Sequence, residues 1–402
     1  MVNFMIAKDM QNSIKNGSII RAMFEEGKKR ARIYGAENVF DFSLGNPNVE
    51  PPEQIKQAII DIVSSEKPMN VHGYMMNSGY EDVREDIAKS INRKFGTDFS
   101  SRNIIMTVGA GGGANVIFKT LLDPDDEVIT FAPFFGEYRG YVANFGGKLV
   151  VVSPNTVDFQ PDLVEFRDKI TSRTKAVIIN SPNNPTGVVY SEKTIMELSE
   201  IIREKQKEFG TDIYLVSDEP YRELAYENVE VPYPTKYFEN TIIVYSFSKS
   251  LSLPGERIGY LVIPTEAADY EDVFAGAGIA TRILGFVNAP SLFQRVAARC
   301  IDLEVDVEVY NRNRELLYNS LKTFGYECIK PEGAFYMFVK SPMADDSRFC
   351  EMAKEKNILI VPGSYFSCPG YFRIAYCVAY DTIKNALPGF KALIEELGNQ
   401  DQ

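Results

Sequence analysis

The sequence predicts an α/β protein with a mostly parallel seven-stranded sheet flanked by helices, together with a smaller α+β unit. Between residues 103 and 263, short β-branched runs alternate with helical segments, as in a parallel sheet covered on both faces. About a dozen residues separate the last two runs. That is too few for a crossover helix, so the seventh strand is expected to pair antiparallel. The 402 residues also exceed the roughly 250 to 300 at which single cores stop growing.

The elements before this region are predicted from helical spacing and from prolines. One apolar stripe at helical spacing indicates an N-terminal arm or a packed first helix, and comprises Ile14, Ile19, Ile20, Met23 and Phe24. A short strand and turn are expected over residues 41–47. A helix is expected over about 51–65, because its prolines lie in the first turn, where no donor is lost. A loop around His72-Gly73-Tyr74 precedes a charged helix over about 80–95.

The seven predicted strands of the sheet cover residues 104–108, 127–131, 148–152, 176–179, 213–217, 241–246 and 258–263. Residues from about 288 alternate long helices with further strands, over 334–339, 358–361 and 372–377, and end in a helix over about 382–397. This mixed pattern indicates a separate α+β unit. We therefore expect residues 1–45 to form an arm and part of the small domain, residues 46–289 the large domain, and residues 290–402 the small C-terminal domain.

Composition disfavours several classes of protein. A net charge of -12 argues against nucleic acid and membranes as partners, because both require basic surface. No apolar run approaches the roughly 18 residues that span a bilayer. The five cysteines show no C-x-x-C spacing, which disfavours a zinc site and a disulfide framework and indicates a reducing cytoplasm. His72 is the only histidine, so H-E-x-x-H metal sites are excluded and Ser-His-Asp hydrolase chemistry is a poor candidate.

Lys249 lies just beyond the sixth predicted strand, among hydroxyl side chains and eight residues before Arg257. A lysine in this setting can act as an amine nucleophile, while Ser246, Ser248 and Arg257 offer donors to a phosphate. The combination suggests a lysine that holds a phosphorylated aldehyde cofactor. A solvated lysine at a strand end is the alternative interpretation.

The glycine-rich string at residues 109–114 follows the first strand of the sheet and opens a helix. Small residues there let backbone N–H groups approach a phosphate at the positive end of the helix. The string also satisfies G-x-G-x-x-A, which is typical of dinucleotide sites. Such a site requires an acidic residue at the end of the next strand, and residues 130–133 contain none. Phosphate binding, dinucleotide binding and a tight turn are the three interpretations.

Aromatic and amide side chains follow two other strands. Phe134 and Phe135 lie just beyond the strand at 127–131, where a ring can stack on a planar cofactor or pack in the core. The rigid loop at 180–187 contains Asn184, which could donate to a ring oxygen; a plain turn is the alternative.

Two charged residues sit in apolar surroundings. Asp218 ends a predicted strand, where a carboxylate wants a cationic partner such as a protonated pyridine nitrogen, unless it caps a helix. Arg373 lies inside an apolar strand, and its planar fork suits a carboxylate or phosphate, with a structural salt bridge as the alternative.

In order and approximate spacing, these motifs resemble those of the class I and II aminotransferases, which are pyridoxal 5'-phosphate enzymes of fold type I. The resemblance covers nearly the whole chain. It rests on Asn-Asn-Pro-Thr-Gly at 183–187, Ser-Asp-Glu-Pro-Tyr at 217–221, Ser-Phe-Ser-Lys at 246–249, Arg257 and Arg373. It implies that residues 46–289 form the cofactor-binding domain.

The resemblance implies a role for each of these residues. Lys249 would hold the cofactor as a Schiff base and move the proton at the substrate α-carbon, while Asp218 would keep the pyridine nitrogen protonated. Asn184 and Tyr221 would hydrogen-bond the phenolic oxygen, and Phe135 would stack on the ring. The phosphate would be held by the Ala110 and Gly111 backbone, Ser246, Ser248 and Arg257.

Further roles concern the substrate and a second subunit. Arg373 and Asn184 would bind the substrate α-carboxylate, with the Gly45 backbone nearby. Tyr74 resembles a tyrosine that reaches the phosphate of a neighbouring subunit, which implies a homodimer with active sites at the subunit interface.

Three features depart from the family pattern. Ala110 and Gly111 stand where many relatives carry hydroxyls. Glu256 stands where relatives usually have an apolar residue. Arg282 lies only roughly where dicarboxylate-specific relatives place a second arginine, so an ordinary surface arginine is the alternative.

The resemblance implies an enzyme that moves an amino group from an L-amino acid, such as aspartate, to a 2-oxo acid through a ping-pong cycle. A carbon–sulfur lyase of the cystathionine type is the alternative within the fold. A ligand-binding regulator is disfavoured because no room is left for a DNA-reading domain. An NAD oxidoreductase is disfavoured by the missing acidic residue, and no metal is expected.

Overall fold

The computed structural model describes residues 5–15 and 19–398, which divide into two compact units. The large unit comprises residues 47–309 and 332–334. The small unit comprises the residues up to 46, residues 310–331 and those from 335 onward. The division expected at residue 290 therefore lies further along the chain. The helix Ser291–Cys300 stays with the large unit because its apolar side chains share a core with Ile62 and Ile87.

The strands are β1 (Phe40–Asp41), β2 (Ile104–Thr107), β3 (Glu127–Phe131), β4 (Lys148–Val152), β5 (Thr174–Asn180), β6 (Tyr214–Asp218), β7 (Thr241–Ser246), β8 (Gly259–Val262), β9 (Tyr336–Lys340), β10 (Ile358–Leu359), β11 (Val361–Pro362) and β12 (Tyr371–Ala375). The helices are α1 (Lys8–Lys15), α2 (Ile19–Tyr34), α3 (Glu53–Ser65), α4 (Pro68–His72), α5 (Glu81–Phe95), α6 (Gly109–Leu121), α7 (Tyr138–Ala143), α8 (Leu163–Lys169), α9 (Glu192–Phe209), α10 (Phe247–Ser250), α11 (Tyr270–Ile283), α12 (Ser291–Cys300), α13 (Val307–Phe324), α14 (Asp346–Glu355) and α15 (Tyr380–Gly398). Short 3-10 turns cover Ala36–Asn38, Ser101–Asn103, Pro234–Lys236, Pro254–Glu256 and Gly363–Phe366.

The large unit is built on a seven-stranded sheet with the order β2-β8-β7-β6-β5-β3-β4. Strand β8 runs antiparallel to both of its neighbours, and the other pairs are parallel. The predicted fold class and the antiparallel seventh strand are thus confirmed. Each predicted strand of the sheet overlaps an observed one, with ends that shift by up to two residues.

Helices cover both faces of this sheet. Strand β7 shows how the sequence achieves this, because consecutive side chains of a strand point to opposite faces. Ile242 and Val244 pack in a core with α6 and α11, whereas Ile243 and Tyr245 pack in a second core with α3, α5 and α12. A third core lies between the sheet and α8 and α9. Helix α9 begins after Ser191, whose hydroxyl accepts the Thr194 N–H at 3.0 Å, which is typical of an N-cap.

The small unit contains two small sheets. Strands β1 and β10 pair in parallel, and β11, β12 and β9 form an antiparallel sheet. The strand expected over residues 358–361 is therefore wrong as one element, because β10 and β11 belong to different sheets.

Near the N-terminus, Ile14 of the predicted stripe is exposed in α1, whereas the other four residues lie half-buried in α2. The loop expected around His72 is shorter than predicted, because His72 is the last residue of α4. Over residues 5–15 and 19–398, no helix is long and apolar enough to cross a membrane.

Candidate active site

The predicted site residues of the large unit follow neighbouring strands. Asn180 at the end of β5 lies opposite Asp218 at the end of β6, which in turn lies opposite Val244 in β7. Lys249 is in α10, which begins directly after β7. The carboxyl ends of parallel strands form one edge of the sheet, where open α/β sheets bind ligands. The sheet therefore places Lys249 and Asp218 at the same edge.

Asn180 connects the loop that contains Asn184 to strand β6. Its side-chain amide donates to the Asp218 carbonyl oxygen at 2.8 Å, and its Oδ1 accepts the Asn184 N–H at 2.7 Å. Both bonds are buried, so they fix the start of this loop against β6. Asn180 is the first residue of the rigid loop predicted at 180–187, but the sequence pattern indicated a role only for Asn184 in that loop.

Asp218 is a buried carboxylate, and only one of its two oxygens is hydrogen-bonded among the described residues. The Tyr138 hydroxyl donates to its Oδ2 at 2.6 Å, and its Oδ1 is buried without a hydrogen-bond partner among the described residues. Burial raises the pKa of the Asp218 carboxyl to about 7, and the hydrogen bond from Tyr138 acts against that rise. Within the described chain no helix begins at Asp218, so the helix-cap alternative is wrong. This open oxygen, Oδ1, can accept a hydrogen bond from a ligand.

Tyr138 is the principal residue of this site that the sequence did not reveal. Its side chain is 1% exposed, and its bond to Asp218 joins residues that are 80 positions apart. Burial raises the pKa of Tyr138 well above its ordinary value, so the phenol stays protonated and donates. No local pattern signals such a pairing, because it depends on how α7 packs on the sheet.

The basic and hydroxyl residues predicted to bind phosphate come together at the start of α6. Gly109 has a φ of 67° and begins this helix; a β-carbon on it would lie 2.6 Å from Nη2 of Arg257. Arg257 Nη1 lies 3.5 Å from Oγ of Ser248, which in turn hydrogen-bonds Oγ of Ser246 at 2.8 Å. A guanidinium, two hydroxyls and a helix N-terminus thus converge, which is a chemically suitable set of donors for a phosphate.

The two candidate aromatic residues differ in burial. Phe134 is 2% exposed, its ring lies parallel to Tyr138, and the Arg139 guanidinium covers it at 4.8 Å. Phe135 is only partly buried and meets the Tyr138 ring edge-on, with 5.6 Å between centroids. Phe134 is therefore a core residue, and Phe135 keeps accessible surface. Tyr221 is buried in the turn after β6.

In the small unit, Arg373 and Gly45 meet at the ring of Tyr336. The Arg373 guanidinium is buried, lies 4.6 Å from the Tyr336 ring centroid, and donates to the Ser43 carbonyl oxygen at 2.5 Å. A β-carbon on Gly45 would lie 1.9 Å from the Tyr336 hydroxyl, so only glycine fits at this position. The structure thus groups Arg373 and Gly45, two of the three residues predicted at the substrate α-carboxylate; the third, Asn184, belongs to the large unit.

The remaining candidates lie at the surface. Tyr74 is 90% exposed, and Arg282 is exposed in the last turn of α11. Nothing in the structure explains Glu256.

A family model described as aminotransferase class I and II matches residues 37–389. The chain belongs to the class I and II aminotransferases. An aspartate aminotransferase of Thermotoga maritima is 31% identical over 92% of this chain and 95% of its own length. An aspartate/prephenate aminotransferase of Thermus thermophilus is 32% identical over 88% and 90%, respectively. The crystal structure of an amino transferase from Eubacterium rectale is 44% identical, with a TM-score of 0.95 over 98% of this chain and 99% of that one.

Class I and II aminotransferases depend on pyridoxal 5'-phosphate, and the residues of this aminotransferase fit that group. A protonated pyridine nitrogen would donate to the open, buried oxygen of Asp218. The donors around Arg257 would hydrogen-bond the phosphate oxygens. The predictions of family, enzyme class, fold and cofactor are thus confirmed. Family membership also favours the phosphate interpretation of the glycine-rich string over the dinucleotide one.

Proposed function

We propose that this aminotransferase moves an amino group from an L-amino acid, aspartate or a similar one, to a 2-oxo acid in a ping-pong cycle. The observation that carries the proposal is the buried Asp218 carboxylate, with one open oxygen, at the sheet edge that also carries Lys249. The names of the Thermotoga and Thermus relatives support aspartate as the donor.

When bound, the cofactor supplies an electron sink for charge that develops at the substrate α-carbon. In our proposal the Lys249 amine would hold the cofactor, and Lys249 would carry the proton to and from the substrate α-carbon. Asp218 holds the proton on the ring nitrogen, and Tyr138 keeps Asp218 in position. Asn184 and Tyr221 hydrogen-bond the phenolic oxygen, and Phe135 packs against the ring.

The phosphate ligands in this proposal are the backbone of Ala110 and Gly111, Ser246, Ser248 and Arg257. Their support is the convergence of a guanidinium, two hydroxyls and the start of α6. Charge-assisted hydrogen bonds of this kind are about twice as strong as neutral ones. These bonds would hold the cofactor in place by its phosphate.

We further propose that Arg373 binds the substrate α-carboxylate, with Asn184 and the Gly45 backbone. The aromatic rings of Tyr336 and Phe366, at 4.6 and 4.9 Å, hold the guanidinium in one orientation, which suits a planar carboxylate.

Tyr74 is proposed to act in a second copy of the chain, in a homodimer, and the 90% exposure of its side chain supports this proposal. We also propose that the protein works in a reducing cytoplasm, which the five free cysteines support.

Replacing the nucleophile tests the proposal. We expect Lys249→Ala to lower turnover of aspartate with 2-oxoglutarate at least about 1000-fold, since a positioned acid–base group alone contributes roughly 100- to 10,000-fold. Borohydride should fix cofactor to the wild type and not to the variant. Lys193→Ala is the matched control, because Lys193 is 82% exposed. Unchanged turnover and covalent labelling of Lys249→Ala would overturn the proposal.

A panel of amino donors tests the substrate. We expect aspartate to be the fastest donor when 2-oxoglutarate or pyruvate is supplied as acceptor. Rapid formation of pyruvate from cystathionine, without any 2-oxo acid acceptor, would instead indicate the carbon–sulfur lyase.

A further inference from the structure

We infer that Tyr141 is a further ligand of the cofactor phosphate, and that its hydroxyl takes the place of a side chain at position 111. The inference rests on the proposed phosphate site at the start of α6. It adds a residue to that site which is distant in sequence from its other ligands.

The first turn of α6 has no side chain that can bind a ligand. Residues 109–113 are glycine except for Ala110. Glycine inside a helix costs roughly 0.5 to 1 kcal/mol relative to alanine, so such a run requires a structural reason. Close packing supplies the reason at Gly109 and Gly113: a β-carbon would lie 2.6 Å from Arg257 in the first case and 3.1 Å from Leu261 in the second.

Gly111 differs because its near neighbour is a hydroxyl. A β-carbon on Gly111 would lie 2.9 Å from Oη of Tyr141 and 3.7 Å from its Cζ. The phenol oxygen therefore occupies the space into which a serine or threonine at position 111 would project. The hydroxyl lies beside the helix start that also faces Arg257.

Helix α7 carries both Tyr141 and Tyr138, the residue that hydrogen-bonds Asp218. Tyr138 and Tyr141 are three residues apart, so both lie on the same side of one helical turn. Their ring centroids are 6.5 Å apart. Tyr138 hydrogen-bonds Asp218, which would face the ring nitrogen, whereas Tyr141 lies beside Gly111, where the phosphate would bind. One turn of α7 thus serves both ends of the cofactor.

A phenol O–H that donates to a phosphate dianion makes a charge-assisted bond. Removing such a bond weakens binding by about 10- to 100-fold. The loss should depend on the phosphate group. We therefore expect Tyr141→Phe to weaken binding of pyridoxal 5'-phosphate to the cofactor-free protein by this factor, with less than about a 2-fold effect on unphosphorylated pyridoxal.

Titration of the cofactor-free protein with each compound measures both dissociation constants. Tyr138→Phe is the matched control: it removes a hydroxyl from the same helical turn but acts at the ring nitrogen, so it should weaken both compounds equally. Equal weakening by Tyr141→Phe would overturn the inference and assign Tyr141 to packing alone. Wild-type affinity of Tyr141→Phe for the phosphorylated compound would overturn it as well.

Moving the hydroxyl from Tyr141 to position 111 tests whether the two positions share one space beside the phosphate. Gly111→Ser alone should weaken cofactor binding, because its β-carbon crowds the Tyr141 oxygen at 2.9 Å. In the Tyr141→Phe background the same substitution has room, and its new hydroxyl should restore most of the lost affinity. Additive losses in the double variant would contradict the inference. A wild-type protein that binds neither compound would instead overturn the proposed function.

Discussion

Asp218 and Glu219 are consecutive buried carboxylates whose surroundings differ. Glu219 accepts the Ser217 hydroxyl at 2.8 Å and pairs with Nε of Arg222 at 2.6 Å. Among the residues that the structure describes, the Asp218 carboxylate accepts a hydrogen bond from Tyr138 at Oδ2, and its Oδ1 has no partner. Successive residues of an extended chain point in opposite directions, so the two carboxylates serve different networks. The complete network stabilises the fold, and the incomplete one is available to a ligand.

Arg222 shows how completely the Glu219 network is satisfied. Its remaining nitrogens donate to the carbonyl oxygens of Val231 and Pro232, both at 2.9 Å. Its guanidinium also lies 5.1 and 5.0 Å from the ring centroids of Phe95 and Tyr233. A buried ion pair of this kind is costly to break from one side, because the other charge stays buried.

The largest expected effect is on the stability of the Glu219 network. Glu219→Gln should lower the free energy of unfolding by about 3 to 5 kcal/mol, because it removes the carboxylate that pairs directly with the buried Arg222 guanidinium. Denaturant unfolding of the cofactor-free protein at pH 7 measures this loss. Asp218→Asn should show no comparable loss, and an equal loss in both variants would remove the distinction between the two networks.

The second-largest effect is on how the free energy of unfolding of the cofactor-free protein depends on pH. Burial raises the pKa of Asp218 from 3.8 to about 7. Between pH 3.8 and about pH 7, Asp218 keeps its proton in the folded chain and releases it in the unfolded chain. The contribution of Asp218 to stability is therefore complete below about pH 4 and falls by roughly 4 kcal/mol as the pH rises to 7.

Comparison of unfolding curves for the wild type and Asp218→Asn from pH 4 to pH 8 isolates this contribution. The variant should lack the decline, so its stability relative to the wild type should increase with pH. Parallel curves over the whole range would show that Asp218 is not the group responsible.

Asp218→Asn should lower turnover by about 100- to 1000-fold, the loss typical of removing one preorganised group that stabilises developing charge. The amide cannot keep a proton on the ring nitrogen as the carboxylate does. Steady-state rates at saturating substrate measure the effect. Glu219→Gln, assayed where it remains folded, should keep most of its activity.

Tyr138→Phe is expected to have the smallest effect. The hydrogen bond from Tyr138 lowers the pKa of Asp218, so its removal should move the upper end of the stability decline above pH 7, by about one pH unit. The same pH-dependent unfolding curves report the shift. Tyr190→Phe is the control: Tyr190 is also buried, and burial is the only cause of its raised pKa. A decline that ends at the wild-type pH in Tyr138→Phe would contradict the assigned contact.

The sequence was sufficient to predict the sheet and much of its active edge, for local reasons. Its strands are continuous apolar runs, and the short connection to β8 dictates antiparallel pairing. Asp218 ends β6 and Lys249 lies in the short helix that follows β7, so the sheet edge at which they lie follows from the strand direction. The roles proposed for these two residues remain predictions.

What the sequence did not reveal depends on packing between distant segments. Tyr138 meets Asp218 across 80 positions, and Tyr141 meets Gly111 through the docking of α7 on α6. The compact large unit extends past the boundary expected at residue 290, and the apolar face of α12 alone does not indicate which core that helix joins. Two-residue strands such as β10 and β11 are too short to carry a pattern of their own.

The antiparallel strand β8 has a consequence for the order of folding. It pairs with β7, from which a short connection separates it, and also with β2, where Thr107 lies opposite Gly259. The first pairing closes a short loop and the second closes one of about 150 residues, so the second is the slower to form. Since Arg257 reaches Gly109 only after the second pairing, we expect cofactor added during refolding to bind late. A fluorescence change of the cofactor that precedes formation of the complete sheet would contradict this order.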